Sequence, residues 1–370
     1  MTLKNRILLS SSSIDESSFI HERLFFKDNI ISFESKLESY FNNTKKVAAL
    51  KSGTSAIHLA MILSGVVSKD IVLCQSATFS ASATPIVYQG AIPVFIDSEK
   101  DTWNMCPLAL EEAIKDLISK EKKPKAIIVV HLYGMPANMT QIVAIANRYK
   151  ITLIEDAAEA LGSTYEGQKC GTFGDYGILS FNENKIITTS GGGALVCKTE
   201  EAKQKAIFLA TQARDEAVHY QHSEIGYNYR MSNVLAGIGR VQMEALDKHI
   251  GLRKAMRQFY TGIFENVNGV TVLEEPSKEY YSNHWLSCII IDEIITGFSR
   301  EELRLQLLKD NIESRPLWKP MHLQPVFSGC KYYGGTIAEN LFKYGLCLPS
   351  GSNLTVEDRV RISVSINKLI

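Results

Sequence analysis

The sequence lacks several features that would place it in a specialised class. Its 370 residues carry no net charge, because 40 basic side chains balance 40 acidic ones, so no overall field attracts nucleic acid or an acidic membrane. The seven cysteines include no CxxC pair, and neither zinc spacing nor a disulfide framework is visible. No apolar run reaches the roughly 18 residues of a membrane-spanning helix, and the N-terminus lacks the apolar core of a signal peptide. We therefore expect a cytoplasmic protein that binds small molecules, without metal, nucleic acid or membrane.

Short apolar, β-branched runs alternate with helical stretches along the first half of the chain. Near-continuous apolar strands separated by helices are typical of a mostly parallel sheet that is covered on both faces. The pattern therefore predicts an α/β fold. The predicted strands are residues 71–74, 92–96, 126–132, 151–156, 176–181 and 194–197.

Two further helices and a change of pattern predict the domain organisation. One helix covers residues 29–41, and a long one begins at the N-cap candidate Ser232 and runs toward Phe264. We place the boundary along the long helix, between a large domain of residues 1–245 and a small α+β domain of residues 246–370. The small domain contains predicted strands at 270–273 and 286–291 and predicted helices at 300–309 and 355–369.

The segment Lys51–His58 places small polar residues at the start of an apolar helix. A helix N-terminus presents unpaired N–H groups and the positive end of a dipole. Gly53, Thr54 and Ser55 could therefore bind a phosphate there. The alternative is an ordinary N-cap without a ligand.

Asp156 ends a predicted apolar strand, at the edge where open α/β sheets bind ligands. A carboxylate at this point can pair with a protonated pyridine nitrogen and keep the ring an electron sink. A single Asp at a strand end is more often a cap or turn residue, and Glu159, three residues later, could simply be solvated.

Lys185 lies between a predicted strand and a triple-glycine turn at 191–193, with Ser180 and Asn182 beside it. A lysine amine in an apolar site can form a Schiff base with a carbonyl cofactor, and glycines allow close backbone approach. Taken alone, Lys185 would be a surface lysine. Three separate segments that each suit a different part of one cofactor reverse that interpretation.

Five segments, in this order, resemble the sugar aminotransferases of the DegT/DnrJ/EryC1/StrS group. They are SGTSAIHLA, IEDAAEALGS, SFNENKIITTSGGG, GYNYRMSN and RPLWKPMH, and the resemblance extends from about Asn29 to the C-terminus. It implies the aspartate-aminotransferase-like architecture, fold type I of the transferases that depend on pyridoxal 5′-phosphate (PLP). That architecture has a large domain with a mixed, mostly parallel sheet and a small C-terminal α+β domain. The resemblance also implies a homodimer with shared active sites.

The resemblance assigns roles to individual residues. Lys185 would be the Schiff-base lysine and the acid/base that moves the proton, and Asp156 would hold the pyridine nitrogen. Phe79 would stack on the ring and Asn228 would reach the phosphate in the partner subunit, although a core aromatic and a polar loop residue are the alternatives. The implied cofactor-binding set is Gly53, Thr54, Ser55, Phe79, Asp156, Glu159, Ser180, Asn182 and Asn228.

Within the group, the sequence looks most like the transaminases that make UDP-4-amino-4,6-dideoxy-N-acetylglucosamine, as in bacillosamine synthesis. The implied substrate is UDP-2-acetamido-2,6-dideoxy-4-hexulose, and a GDP- or dTDP-linked keto sugar is the alternative. The segment RPLWKPMH offers a cation, a flat ring and polar groups suited to a diphosphate and a uracil, or it is a Pro-flanked surface loop. The implied substrate-binding residues are Asn29, Ile30, Ile31, Ser32, Arg230, Arg315, Trp318, Lys319 and His322.

The stretch Asn29–Ser32 departs from the relatives, which carry a Pro-Leu-Gly segment ahead of the first helix, near the substrate. Here Ser32 leads directly to Phe33, so the loop that precedes the helix is shorter. This departure weakens the expectation for the sugar and the nucleotide more than that for the cofactor.

The implied reaction has two halves. Glutamate would convert PLP to pyridoxamine 5′-phosphate and leave as 2-oxoglutarate, and the pyridoxamine would then aminate the keto sugar. A PLP-dependent sugar dehydratase is a second possibility, but the dehydratases of this group carry His at the position of Lys185. A non-catalytic sugar-nucleotide-binding protein would be expected to lose Lys185 or Asp156, and both are present.

Overall fold

An eight-stranded sheet forms the centre of the computed structural model, which describes residues 6–10 and 28–370. Six neighbouring strands, from β8 (Tyr176–Ser180) to β14 (Tyr332–Tyr333), are parallel. Strand β9 (Gly193–Cys197) runs antiparallel to both β8 and β1 (Lys46–Leu50). The predicted mostly parallel sheet is therefore confirmed. In spatial order the strands are β1 (Lys46–Leu50), β9 (Gly193–Cys197), β8 (Tyr176–Ser180), β5 (Thr152–Asp156), β4 (Ala126–Val130), β2 (Ile71–Gln75), β3 (Ile92–Ile96) and β14 (Tyr332–Tyr333).

Helices cover both faces of this sheet because its strands are apolar on both sides. In β2, Val72 belongs to the same buried cluster as Ile57, whereas Leu73 belongs to the cluster of Leu110 on the opposite face. The covering helices are α1 (Asn29–Tyr40), α2 (Gly53–Leu63), α3 (Ser80–Tyr88), α4 (Pro107–Ser119), α5 (Met139–Tyr149) and α6 (Glu200–Ala210).

The predicted long helix after Ser232 is present but interrupted. The Ser232 hydroxyl caps α7 (Asn233–Gln242) by accepting a hydrogen bond from the Leu235 N–H. A single 3-10 turn then leads into α8 (Leu246–Phe264). Within the described ranges, no helix combines the length and the apolar character needed to cross a membrane. The prediction that the N-terminus lacks the apolar core of a signal peptide concerns residues that lie mostly outside those ranges.

A second, four-stranded antiparallel sheet follows α8. Its strand order is β10 (Val270–Val272), β12 (Ser287–Ile291), β15 (Gly345–Leu348), β13 (Arg315–Pro316). The strands and helices predicted in this region are confirmed. The two-residue strand β14 belongs to the large sheet, so this part of the chain also pairs with the large domain. The domain boundary near residue 245 stays a prediction. The remaining elements are β6 (Thr164–Tyr165), β7 (Gln168–Lys169), β11 (Tyr280–Tyr281), α9 (Glu293–Thr296), α10 (Arg300–Lys309), α11 (Ile337–Tyr344) and α12 (Val356–Ile366).

Glu155, the penultimate residue of β5, anchors the centre of the large sheet although it is fully buried. Its carboxylate accepts hydrogen bonds from the N–H groups of Gly171, Phe173 and Gly174 and from His131 Nε2 at 2.7 Å. The other ring nitrogen of His131 accepts from a backbone N–H at 3.0 Å, which places the imidazole proton on Nε2. One ligand-type atom from each of His131, Glu155 and Cys170 lies within 4.8 Å of the other two, a spacing that could hold a metal ion. Hydrogen bonds, however, already occupy the Glu155 carboxylate and both ring nitrogens of His131.

Replacing Glu155 with Ala should lower the free energy of unfolding by about 3–5 kcal/mol, because several buried donors lose their acceptor. Urea denaturation followed by circular dichroism measures this. Glu112→Ala, on the exposed face of α4, is the matched control and should change stability by less than about 0.5 kcal/mol. Equal effects of the two variants would contradict the anchoring role.

Candidate active site

A cavity of about 420 Å³ opens at the carboxyl ends of β5 and β8. Parallel strands end at this edge, so side chains and backbone groups from consecutive loops converge there. The start of α2, the loops after β5 and β8, the small sheet and the N-terminal residues Leu9 and Ser10 all contribute to its walls. Parts of the chain that are far apart in sequence therefore share one cavity.

The start of α2 forms one wall. Ser52 is the N-cap residue, and its hydroxyl accepts a hydrogen bond from the Ser55 N–H at 3.0 Å. Gly53 and Thr54 follow at the cavity surface, where N–H groups of the first helical turn are free of intrahelical bonds. Gly193 of β9 makes this arrangement possible, since a Cβ there would lie 2.3 Å from the carbonyl carbon of Ser52. This wall can bind a phosphate group.

Asp156, the last residue of β5, lies in the same cavity and is 4% exposed. One carboxylate oxygen accepts a hydrogen bond from the Ser82 hydroxyl at 2.6 Å, and the other accepts from the Ala158 N–H at 3.2 Å. Burial raises the pKa of Asp156, and these hydrogen bonds oppose the rise. A carboxylate with this raised proton affinity gains stability from a cationic N–H partner in the cavity.

Lys185 points into the cavity, not into solvent, and its side chain is only 12% exposed. The Nζ atom lies 3.2 Å from Oε1 of Glu159 and 4.1 Å from the centroid of the Trp285 ring. Glu159 is held in turn by the backbone N–H of Tyr133 at 2.8 Å. Burial raises the pKa of Glu159, and the charge of Lys185 opposes this. The amine therefore has a fixed position between a carboxylate and an aromatic face.

Aromatic side chains form the wall that faces the small sheet. The ring of Trp318 lies 5.5 Å from Phe79, 5.1 Å from Tyr133 and 6.4 Å from Trp285, measured between centroids. Phe79 is 56% exposed and lines the cavity, so it is not a core aromatic. Arg315 completes this side, and its guanidinium donates to Glu313 at 2.6 and 2.9 Å.

Several residues expected at the site lie elsewhere in this chain. Ser55 is buried behind Ser52, and Arg230 binds Glu34 and the carbonyl of Ala49. The His322 ring hydrogen-bonds Ser76 and stacks on a tyrosine. The expected residues that do not line the cavity are Ser55, Asn228, Asn29, Ile30, Ile31, Ser32, Arg230, Lys319 and His322. Residues 29–32 form the first turn of α1, with Asn29 buried and Ile31 exposed.

The cavity does contain the rest of the expected set. Gly53, Thr54, Phe79, Asp156, Glu159, Ser180, Asn182, Lys185, Arg315 and Trp318 all line it. The sequence reasoning missed Ser52, Ser82 and Trp285. Ser82 follows Phe79 by three residues in the segment ATFSAS, which was a usable signal, whereas nothing in the sequence around Trp285 indicates proximity to Lys185.

The cavity suits pyridoxal 5′-phosphate, which carries a phosphate, a ring nitrogen and an aldehyde. The helix start at Gly53 can bind the phosphate, Asp156 can pair with the protonated nitrogen, and the Lys185 amine can react with the aldehyde. Phe79 offers an exposed aromatic face for the ring. The phosphate, the ring nitrogen and the aldehyde of the cofactor thus each have a counterpart of suitable chemistry.

Comparison with known proteins agrees with this chemistry. "Putative pyridoxal phosphate-dependent aminotransferase EpsN" of Bacillus subtilis is 50% identical over 335 residues, which cover 90% of this chain and 85% of that protein. GDP-perosamine synthase of Escherichia coli O157:H7 is 37% identical, covering 91% and 88%. UDP-4-amino-4,6-dideoxy-N-acetyl-beta-L-altrosamine transaminase of Campylobacter jejuni is 31% identical, covering 95% and 94%.

The fold has close counterparts among solved structures. The crystal structure of a DegT DnrJ EryC1 StrS aminotransferase from Brucella abortus superposes with a TM-score of 0.84 at 29% identity, covering 92% of this chain and 90% of that one. The predicted aspartate-aminotransferase-like architecture is therefore confirmed. The model of the DegT/DnrJ/EryC1/StrS aminotransferase family matches residues 21–367. The chain belongs to this family and is a sugar aminotransferase that depends on pyridoxal 5′-phosphate.

Proposed function

We propose that this aminotransferase moves the amino group of glutamate to C4 of a nucleotide-linked 4-keto-6-deoxy sugar, with Lys185 as its catalytic residue. One observation carries the proposal: the Lys185 amine, the Asp156 carboxylate and the N-terminus of α2 line a single cavity. Each of these three features, taken alone, has an ordinary structural explanation. Their convergence from three loops supports a common ligand.

Different residues of this chain have different roles in the proposed reaction. When bound, the cofactor supplies an electron-accepting ring that carries the amino group from donor to acceptor. The Thr54 region binds its phosphate, and Asp156 keeps the ring nitrogen protonated. Lys185 Nζ accepts a proton from a carbon as a neutral amine and donates it as an ammonium. Glu159, at 3.2 Å, stabilises that ammonium.

We further propose that the enzyme acts as a homodimer with shared active sites. Asn228, expected to bind phosphate, does not line the cavity of its own chain, which supports a role in a neighbouring subunit. The segment just before it exposes large apolar side chains, among them Val218, Tyr220 and Ile225. These three residues lie within eight consecutive positions, and exposed apolar side chains that group into a patch mark protein contacts.

For the nucleotide we propose UDP, with the 2-acetamido-2,6-dideoxy-4-hexulose as the sugar. Arg315 and Trp318, which line the cavity, supply a cation for a diphosphate and a flat face for a base, and a transaminase named for a UDP sugar is 31% identical. GDP is the second candidate, since GDP-perosamine synthase of Escherichia coli O157:H7 is 37% identical.

Lys185→Ala should reduce turnover by about 10³-fold or more, because the proton then has no carrier. Amination of the keto sugar with glutamate is measured by product mass. Lys198→Ala removes a half-exposed lysine that pairs with Asp175 and should leave turnover unchanged. Turnover of Lys185→Ala at the wild-type rate would refute the assignment.

Asp156→Asn should slow turnover yet relieve the cofactor-free protein of a buried charge. Because the pKa of Asp156 is raised in the folded state, the folded protein holds this proton to higher pH than the unfolded chain. The stability of cofactor-free wild type relative to Asp156→Asn should therefore fall as pH rises from about 4. Denaturation of both proteins across pH measures this. A free energy of unfolding of wild type, relative to that of Asp156→Asn, that stays constant or rises with pH would contradict the burial effect.

A panel of UDP-, GDP- and dTDP-linked 4-keto-6-deoxy sugars, each supplied with glutamate, tests the nucleotide. We expect turnover with the UDP sugar and a rate at least about 100-fold lower with the others, since an ill-fitting base leaves polar groups unpaired. Exclusive turnover of the GDP sugar would replace UDP with GDP in the proposal and leave the role of Lys185 intact.

A further inference from the structure

The backbone carbonyl of Asn184 accepts two hydrogen bonds from outside its own loop. The indole N–H of Trp285 donates to it at 2.6 Å, and the hydroxyl of Ser10 donates to it at 2.9 Å. This carbonyl belongs to the peptide unit that leads directly into Lys185. Residues 182–184 form an exposed turn, so these bonds fix a segment that has little packing of its own.

Trp285 contacts Lys185 in a second way. Its ring centroid lies 4.1 Å from the Lys185 Nζ, a distance at which an aromatic face attracts an ammonium group. One side chain from the segment just before β12 thus contacts both ends of the lysine, the backbone before it and the amine at its tip. The remaining side of the amine faces Glu159 at 3.2 Å.

Arg253 holds both donors. Its Nη1 donates to the Trp285 carbonyl at 2.6 Å, and Nη1 and Nη2 each donate to the Ser10 hydroxyl at 3.1 Å. The guanidinium is fully buried, and no carboxylate in the described part of the chain forms an ion pair with it. Burial lowers its pKa to about 9, so hydrogen bonds must compensate for its desolvation.

The donor directions are consistent along this network. Arg253 donates to Ser10 and Trp285, and both of these donate to the carbonyl of Asn184. The Ser10 hydroxyl both accepts and donates, so its hydrogen bonds polarise and strengthen one another. Trp285 is held at its backbone carbonyl and donates through its indole N–H, so Arg253 acts on this donor through its position alone. The network joins α8, the small sheet and the N-terminal segment to the turn that carries Lys185.

We propose that Trp285 and Ser10 are positioning residues for Lys185 and that Arg253 orients them both. The inference rests on the proposed role of Lys185 as the lysine that binds the cofactor. A lysine has a long, flexible stem, and its amine must stay aligned with the carbons between which it moves a proton. The hydrogen bonds to the Asn184 carbonyl fix the peptide before Lys185, and the Trp285 ring lies against its amine. Together they restrict the positions that the amine can occupy.

Trp285→Phe tests the proposal because it keeps an aromatic face and removes the N–H that binds the Asn184 carbonyl. The reaction followed is condensation of the aldehyde of added pyridoxal 5′-phosphate with Nζ, which releases one water, recorded by visible absorbance of the cofactor-stripped full-length protein. We expect the rate constant to fall about 10-fold in Trp285→Phe and about 3-fold in Ser10→Ala. The double variant should fall by less than the product of the two, because both donors share one carbonyl.

Binding of pyridoxamine 5′-phosphate, which has no aldehyde to react with the lysine, reports on the cavity alone. The positioning role predicts unchanged affinity for it in both variants. Trp103→Phe truncates another buried tryptophan, which does not line the cavity, and should change neither quantity.

Three outcomes would overturn the proposal or its basis. A condensation rate within about twofold of wild type in Trp285→Phe and in Ser10→Ala would exclude positioning. Parallel losses of condensation rate and pyridoxamine phosphate affinity would make the two residues supports of the cavity instead. If Trp285→Phe fails to fold, Ser10→Ala decides alone. Wild-type protein that binds the aldehyde without reacting at Lys185 would contradict the proposed role of the lysine, not the positioning network.

Discussion

The ion pair between Lys185 and Glu159 is the interaction on which the arrangement of the site depends. Its two members follow different strands of the large sheet, and at 3.2 Å they are both largely removed from solvent. Separating a buried pair leaves each charge uncompensated, which is far more costly than the loss of a surface pair. The pair therefore joins the loops after β5 and β8, two strands whose parallel pairing brings their last residues, Asp156 and Ser180, to the same cavity.

The sheet supports this pair from below. Glu155 joins the end of β5 to the backbone N–H groups of Gly171, Phe173 and Gly174, so Asp156 projects from a strand end that several hydrogen bonds hold. Gly193 lets the start of α2 approach the sheet, which brings the turn that we propose for phosphate binding to the same cavity as the lysine. Trp285 and Trp318, which lie next to strands β12 and β13 of the small sheet, also line the cavity. Stability and function thus draw on the same buried polar contacts, as expected where a site must be preorganised.

The strands could be predicted from the sequence because they depend on local patterns, and so could the positions of Asp156 and Lys185 after strands, whereas the roles of these two residues came from the family resemblance. Strand β5 is apolar at Leu153 and Ile154 and ends on the carboxylates Glu155 and Asp156. The position of Asp156 at the carboxyl end of the strand could therefore be predicted from the sequence. Strand β14 has only two residues and no periodicity. Trp285 and Arg253 are separated from Lys185 by about 70 to 100 residues, and only tertiary packing makes them neighbours. Asn228 and Arg230 were expected at the site from the motif GYNYRMSN, but neither lines the cavity of its own chain, and sequence patterns do not reveal how a motif packs in three dimensions.

Chemical trapping tests the role of Lys185 most directly. The protein would be loaded with pyridoxal 5′-phosphate, reduced with borohydride, digested, and mapped by mass spectrometry. We predict a single labelled peptide that carries the reduced cofactor on Lys185, and loss of the label when glutamate is added before reduction. Label on a different lysine, or none at all in protein that binds the cofactor, would contradict the assignment.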